Sequence, residues 1–167
     1  KDPEIKFKTG DNYLSYGLDD FDYIFRSPGF YRYMPEILAA ESKGVVITSA
    51  TKLFFEEFKG KIIAVTGTNG KGTTCGLIYK MLKKAGQKVY LSGNIGTSNI
   101  LEILKLSNTP ETFAILELSS FQTIDLIVGP YISVILNITT DHLDWHKNRK
   151  EYIEAKAQLV KVQSPGD

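Results

Sequence analysis

The sequence predicts an α/β protein built around a parallel sheet, and three observations predict it. From about Lys61 onward, short apolar runs alternate with longer amphipathic segments, as in strands joined by crossover helices. The segments between the runs carry apolar residues at helical spacing. Each apolar run is followed by a polar stretch, and that is the edge at which open parallel sheets bind ligands.

In chain order, an aromatic and acidic start (Tyr13, Tyr16, Asp19, Asp20, Phe21, Asp22, Tyr23) leads into a strand-like Tyr23–Arg26. The turn Ser27-Pro28-Gly29 follows at once, then a helix over Pro35–Ser42, a strand over Val45–Thr48 and a short amphipathic helix over Lys52–Phe58. That is about half of a small α/β unit, so a boundary is expected near Lys59–Lys61, dividing residues 1–60 from 61–167. Beyond it, strands are expected at Ile62–Thr66, Lys88–Leu91, Phe113–Glu117 and Ile132–Asn137. Helices are expected over Lys71–Ala85, with Gly86 where a C-terminal capping glycine belongs, over Thr97–Leu106, and around Lys156. There is no internal repeat and no low-complexity stretch.

The chain has 167 residues, 43% of them hydrophobic and 11% aromatic, enough to bury a real core. No run approaches the ~20 apolar residues of a membrane span, and the opening Lys-Asp-Pro-Glu-Ile-Lys is too charged for a signal peptide. A cytoplasmic protein without membrane insertion is expected. Twenty basic against nineteen acidic residues, with no long run of either sign, leave no electrostatic footprint for nucleic acid. The one cysteine, Cys75, excludes an internal disulfide and a cysteine-cluster metal site, and is expected as a packed thiol just inside a helix. The start without methionine and the loop-like Ser164-Pro165-Gly166-Asp167 suggest a fragment.

The polar strand ends hold the chemistry. Gly67-Thr68-Asn69-Gly70-Lys71 follows the first central strand, Ser92-Gly93-Asn94-Ile95-Gly96 the second, Glu117-Leu118-Ser119-Ser120 the third, and Asn137 through Asp141-His142 the fourth. The first of these, extended to Gly72-Thr73-Thr74, joins a strand to a helix N-terminus, where backbone N–H groups can curl around phosphate and Lys71 can reach its terminal groups. A helix-capping loop that merely contains glycine and asparagine is the plainer alternative. The strict nucleotide pattern is broken twice, by Val65 at its first glycine and by Gly72 after the lysine. The Mg²⁺-binding hydroxyl must then shift to Thr73, with Thr74 as the fallback. Glu117 ends an otherwise apolar strand, where a carboxylate needs solvent, a partner or a cation, and Mg²⁺ suits its oxygens. His142 and His146 have i, i+4 spacing, but Asp141-His142-Leu143-Asp144 reads as a loop without a third soft ligand, so zinc is rejected and His146 is read as structural. Ser119-Ser120 lacks nucleophile-elbow glycines and an evident triad.

The segments GTNGKGTT (67–74), SGNIG (92–96), LELSSFQ (116–122), NITTDHLDWH (137–146) and EYIEAK (151–156) resemble the Mur ligases, most of all the members that add D-glutamate. The resemblance covers nearly all of residues 61–160, and ELSSFQ is its most specific part. Folylpolyglutamate synthetase shares the loop but differs after the glutamate. Ser27-Pro28-Gly29 is similar to a turn at the end of the family's amino-terminal domain, which holds the UDP group. The resemblance therefore implies a P-loop NTPase-like central domain, in part, over 61–167, preceded over 1–60 by part of a Rossmann-like UDP-binding domain.

It also implies the chemistry: ATP and Mg²⁺ as cofactors, and UDP-N-acetylmuramoyl-L-alanine joined to D-glutamate through an acyl phosphate, a step of peptidoglycan precursor synthesis. Residue by residue, Gly67, Thr68, Asn69, Gly70, Lys71, Gly72, Thr73 and Thr74 would hold ATP. Thr73, Glu117, His142 and Lys156 would bind metal, the lysine as a carbamate. Ser27, Pro28, Gly29, Asn94 and Ser119 would meet the sugar-nucleotide substrate, with Lys71, His142 and Lys156 nearest the reaction. A carbamate needs neutral amine, and an ordinary lysine is neutral in roughly a thousandth of molecules or fewer near pH 7, so burial or metal must favour the modified form. Gly72 departs toward folylpolyglutamate synthetase, an alternative that stays open here with a binding-only relative. Segments the family needs to receive the amino acid are missing, so residues 1–167 alone are expected not to ligate.

Overall fold

A computed structural model describes residues 9–15, 17–96 and 99–164. Tyr16, the expected helix start at Thr97 and the expected loop at 165–167 lie outside the described residues. After a 3-10 turn at Leu18–Asp20, a two-stranded parallel sheet pairs β1 (Tyr23–Phe25) with β2 (Val46–Thr48), joined through helix α1 (Pro35–Ser42). Ile37, Ala40, Val45 and Ile47 form its small core. Helix α2 (Ala50–Glu57) begins two residues before the expected start, because the Ser49 hydroxyl accepts the Lys52 N–H at 3.1 Å and caps it.

The larger sheet contains β3 (Lys61–Thr66), β4 (Val89–Gly93), β5 (Phe113–Glu117) and β6 (Ile132–Ile135), ordered β4-β5-β3-β6 and all parallel. Alternation along β3 and β5 divides the core. Ile62, Ala64, Ala114 and Leu116 face α2 and α4 (Ile100–Leu106), together with Leu159 of α6 (Arg149–Lys161). Ile63, Val65 and Ile115 face α3 (Lys71–Lys84) and its fully buried Cys75. Burial pushes the Cys75 thiol up to about 12, in keeping with a packed rather than reactive group. Three phenylalanines from the α2 region, Phe54, Phe55 and Phe58, lie in the larger sheet's core although they precede the Lys59–Lys61 boundary.

Most strand boundaries fall within one residue of expectation, and two strand ends differ by two, for local reasons. β4 carries on through Ser92 and Gly93, because Gly93 still pairs in register with Glu117 of β5. β6 stops at Ile135 rather than Asn137. Leu136 makes one last bond to the Thr66 carbonyl, and the Asn137 carbonyl then turns to accept the Thr68 N–H at 2.9 Å. The strand gives up its pairing to hold the loop after β3. Asn99 caps α4 through its side chain, and the short α5 (Ser120–Thr123) follows β5 directly. Among the described residues no helix is long and apolar enough to cross a membrane.

Candidate functional site

The parallel register brings Thr66, Gly93, Glu117 and Ile135 to one edge of the sheet. The loop after β3 is pinned there by Thr68, whose N–H binds the Asn137 carbonyl, and by the Thr66 hydroxyl, which donates to the Leu118 carbonyl at 2.8 Å. Gly70 takes a left-handed conformation (φ 83°) and opens α3, so the first amides of that helix point at the loop's mouth. Asn69 and Thr73 are exposed there. Lys71 bends back, its ammonium donating to the carbonyls of Gly67 (3.2 Å) and Thr68 (2.9 Å).

Lys156 comes to the same place from beneath. It is 2% exposed, and its Nζ donates to the Gly67 carbonyl at 3.0 Å while standing 4.6 Å over the Tyr152 ring. Two ammonium groups therefore share one carbonyl. Burial first, and the Lys71 charge second, push the Lys156 amine down to about 8.

Glu117 and Asn94 are neighbours, the Asn94 N–H donating to the Glu117 carbonyl at 2.9 Å. Gly93 makes that approach possible: it has φ 96°, and a Cβ there would stand 2.2 Å from the Glu117 carbonyl oxygen. Gly72, the break in the nucleotide pattern, also has a local cause. A Cβ at residue 72 would lie 3.0 Å from Glu117 Oε2 and 3.1 Å from Ile95, so the missing side chain leaves space beside the carboxylate. A carboxylate oxygen beside such a space is chemically suited to a hard cation. Thr73 is one residue further along α3 and exposed, while His142 sits in the exposed loop after β6. Among the described residues no three of His, Cys, Asp and Glu cluster as a metal site. His142 is also the only described non-glycine residue with positive φ (51°), a conformation that costs free energy and is held by packing against Phe121 (4.9 Å between ring centres).

A family model of the Mur ligase middle domain matches residues 65–167. The chain belongs to the Mur ligase family. The UDP-N-acetylmuramoylalanine--D-glutamate ligase of Acetivibrio thermocellus is 42% identical to it over 167 residues, all of this chain and 35% of the relative. That of Clostridium kluyveri is 40% identical over the same span and 36% of its length. The chain thus spans about a third of the curated relatives it matches. Among solved structures, the UDP-N-acetylmuramate:L-alanyl-gamma-D-glutamyl-meso-diaminopimelate ligase from Neisseria meningitides superposes with TM-score 0.55 at 20% identity, over 88% of this chain and 51% of that one, a likeness of fold.

In this member of the Mur ligase family the Ser27-Pro28-Gly29 turn is tied to the sheet edge by contacts that sequence reading missed. The Trp145 indole donates to the Gly29 carbonyl at 2.9 Å, and Trp145 packs on both Tyr31 and Phe121. The buried Arg26 donates to the Phe30 carbonyl (2.9 Å), the Phe121 carbonyl (3.2 Å) and Asp125 (3.1 Å). Ser119 engages Gln122, whose side-chain oxygen accepts both the Ser119 N–H (2.9 Å) and hydroxyl (3.0 Å). A cleft of about 410 Å³ lies beside these groups, lined by Arg26, Ser27, Pro28, Gly93, Asn99 and Gln122 among others.

His146 is structural, as expected, yet its partners form a relay that the absence of an elbow motif had hidden. Its Nε2 lies 2.8 Å from the Ser120 hydroxyl and its Nδ1 3.3 Å from Glu151, which also accepts the Tyr31 hydroxyl at 3.0 Å. Ser120 and His146 are 1% and 2% exposed, so no substrate reaches the serine, and the chain of bonds serves to fasten elements together. Burial, opposed by Glu151, holds the His146 pKa below its ordinary value. Burial works against Glu151 ionising, but the Lys147 N–H, Tyr31 and His146 together hold its carboxyl below the usual range. Protonating either group is therefore harder in the folded state than in the unfolded one, and both effects reduce stability as pH falls. The urea midpoint is expected to decline from about pH 6.5 downward as His146 is forced to charge, and further below about pH 4.5 as Glu151 is lost. His146→Gln should flatten the upper part of that decline and, by removing one of the groups that lower the Glu151 carboxyl, reduce the lower part as well.

Proposed function

We propose that the protein is a cytoplasmic ATP-dependent ligase that joins D-glutamate to UDP-N-acetylmuramoyl-L-alanine, with residues 61–167 supplying the phosphate and metal groups and residues 1–60 part of the UDP-binding side. One observation carries this reading: Lys71 and Lys156 converge on the Gly67 carbonyl at the sheet edge where Glu117 ends β5. The names of the D-glutamate-adding relatives support the choice of amino acid.

ATP, when bound, would supply the γ-phosphoryl group to the substrate carboxylate, leaving ADP, and the D-glutamate amine would then attack the acyl carbon and expel inorganic phosphate. Phosphoryl transfer needs positioning and charge neutralisation more than a covalent partner. Residues 67–74 would present their amides and the Thr73 and Thr74 hydroxyls for the phosphates, and Lys71 would exchange its two carbonyl acceptors for phosphate oxygens. Mg²⁺ would be held by Thr73, Glu117, His142 and the carbamate of Lys156, with Thr74 the substitute hydroxyl. Asn94, Ser119 and the Ser27-Pro28-Gly29 turn orient the sugar nucleotide. The folylpolyglutamate alternative rests on Gly72, where an added Cβ would lie 3.0 Å from Glu117 Oε2, and this close approach is a local reason for glycine that needs no change of substrate.

The test is phosphate release by the full-length protein given ATP, Mg²⁺ and UDP-N-acetylmuramoyl-L-alanine. Release should depend on D-glutamate, and Lys71→Ala should lower its rate about 10²–10³-fold. Release no greater than the background without sugar nucleotide would overturn the proposal, and unchanged ATP affinity in Lys71→Ala would overturn the phosphate-loop assignment within it.

A further inference from the structure

We infer that Tyr152 is a positioning residue for the phosphate loop, its hydroxyl setting the conformation of Thr68. This rests on the phosphate-loop reading above. Tyr152 is fully buried on α6, one helical turn before Lys156 and on the same face. Its hydroxyl lies 3.0 Å from the Thr68 hydroxyl. That oxygen also accepts the Thr139 N–H at 3.0 Å and reaches the Thr139 carbonyl at 3.3 Å.

Counting protons gives each bond a direction. The Thr139 N–H can only donate and the Thr139 carbonyl can only accept. The single Thr68 proton therefore goes to the Thr139 carbonyl, which leaves Tyr152 as the donor to Thr68. With both donors in place the Thr68 oxygen is fully used, and its side chain has one orientation. Thr68 is also the residue whose carbonyl accepts Lys71 at 2.9 Å and whose N–H binds Asn137. One phenol thus fixes the residue that aims the phosphate lysine, and its ring carries the Lys156 ammonium 4.6 Å away. Phosphate loop and lysine are held in register by the same side chain.

A phenylalanine at this position keeps the ring and removes only the donor. Without it, the half-buried Thr68 oxygen loses one of its two donors and the loop gains alternative conformations. The experiment measures ATP dissociation constants, thermal midpoints and amide exchange over residues 67–70 in the full-length protein for Tyr152→Phe, Thr68→Val and the double variant, beside Lys71→Ala. Each single variant is expected to weaken ATP binding about 5- to 10-fold and to speed loop exchange without nucleotide, with the double variant no weaker than Thr68→Val, which already removes the bond to Tyr152 together with those to Thr139. KM for the sugar nucleotide should stay within about twofold. ATP affinity within twofold of wild type in folded Tyr152→Phe, or losses that simply add in the double variant, would overturn the inference. If Lys71→Ala loses ATP binding while Tyr152→Phe does not, the Tyr152 role fails and the phosphate-loop reading stands; if Lys71→Ala binds normally, the reading itself fails.

Discussion

Asp125→Ala should destabilise the protein by about 3–5 kcal/mol, the cost of leaving buried cations without their counter-charge. Arg26 NH2 and Arg32 Nε each donate to a different oxygen of Asp125 at 3.1 Å, and the three side chains are 1%, 7% and 7% exposed. Arg32 keeps Glu41, which is largely solvated, whereas Arg26 keeps only backbone carbonyls. Burial already lowers the Arg26 pKa, with Asp125 the main opposing influence. The loss comes from stranding the guanidinium groups and not from any large net worth of the pair, since exchanging buried ion pairs for apolar groups is often neutral. The double variant Arg26→Met, Asp125→Leu should therefore be less destabilised than Asp125→Ala. Chemical denaturation measures both. A change below about 1 kcal/mol for Asp125→Ala would show the arginines to be solvated.

Lys156→Met should do the reverse, raising stability while removing the ligation proposed above. The folded-state pKa of this lysine is down to about 8 from an ordinary 10.5. The native protein therefore binds fewer protons than the unfolded chain between those values. The penalty is fully present below pH 8 and is relieved as pH rises to 10.5, so wild-type stability should increase across that window. The shift corresponds to about 3 kcal/mol. Methionine fills similar volume without charge and should be more stable near neutral pH by on the order of 1–3 kcal/mol, should lose the rise between pH 8 and 10.5, and should ligate at least about 10²-fold more slowly. Denaturation curves at pH 7 and pH 10 decide the first two points. A methionine variant less stable than wild type at pH 7 would mean that the bond to Gly67 outweighs the burial of charge.

Legibility in the sequence followed the range of the interaction. The central strands were readable because apolar runs and crossover helices are local patterns, and the polar strand ends followed from the parallel arrangement. Boundaries moved where one side chain or one long-range bond decided them: Ser49 started α2 early, and the demand of Thr68 for the Asn137 carbonyl ended β6 early. Burial of Lys156 could be required by its chemistry but not read from a helix carrying Arg149, Lys150 and Glu154 around it. Arg26 and Asp125 are 99 positions apart, Tyr152 and Thr68 84 apart, and no spacing rule links such pairs. The His146 relay was hidden for the same reason. Its serine, histidine and glutamate come from three elements, and only folding assembles them.

The shared Gly67 carbonyl also bears on the order in which ligands arrive. While Lys156 is an ammonium, two positive ends meet around one partial negative, a field that repels a divalent cation and attracts a polyphosphate. On the function proposed above, carbamylation would turn one of those two signs from positive to negative. The same few ångströms would then offer a cation and an anion each its own partner.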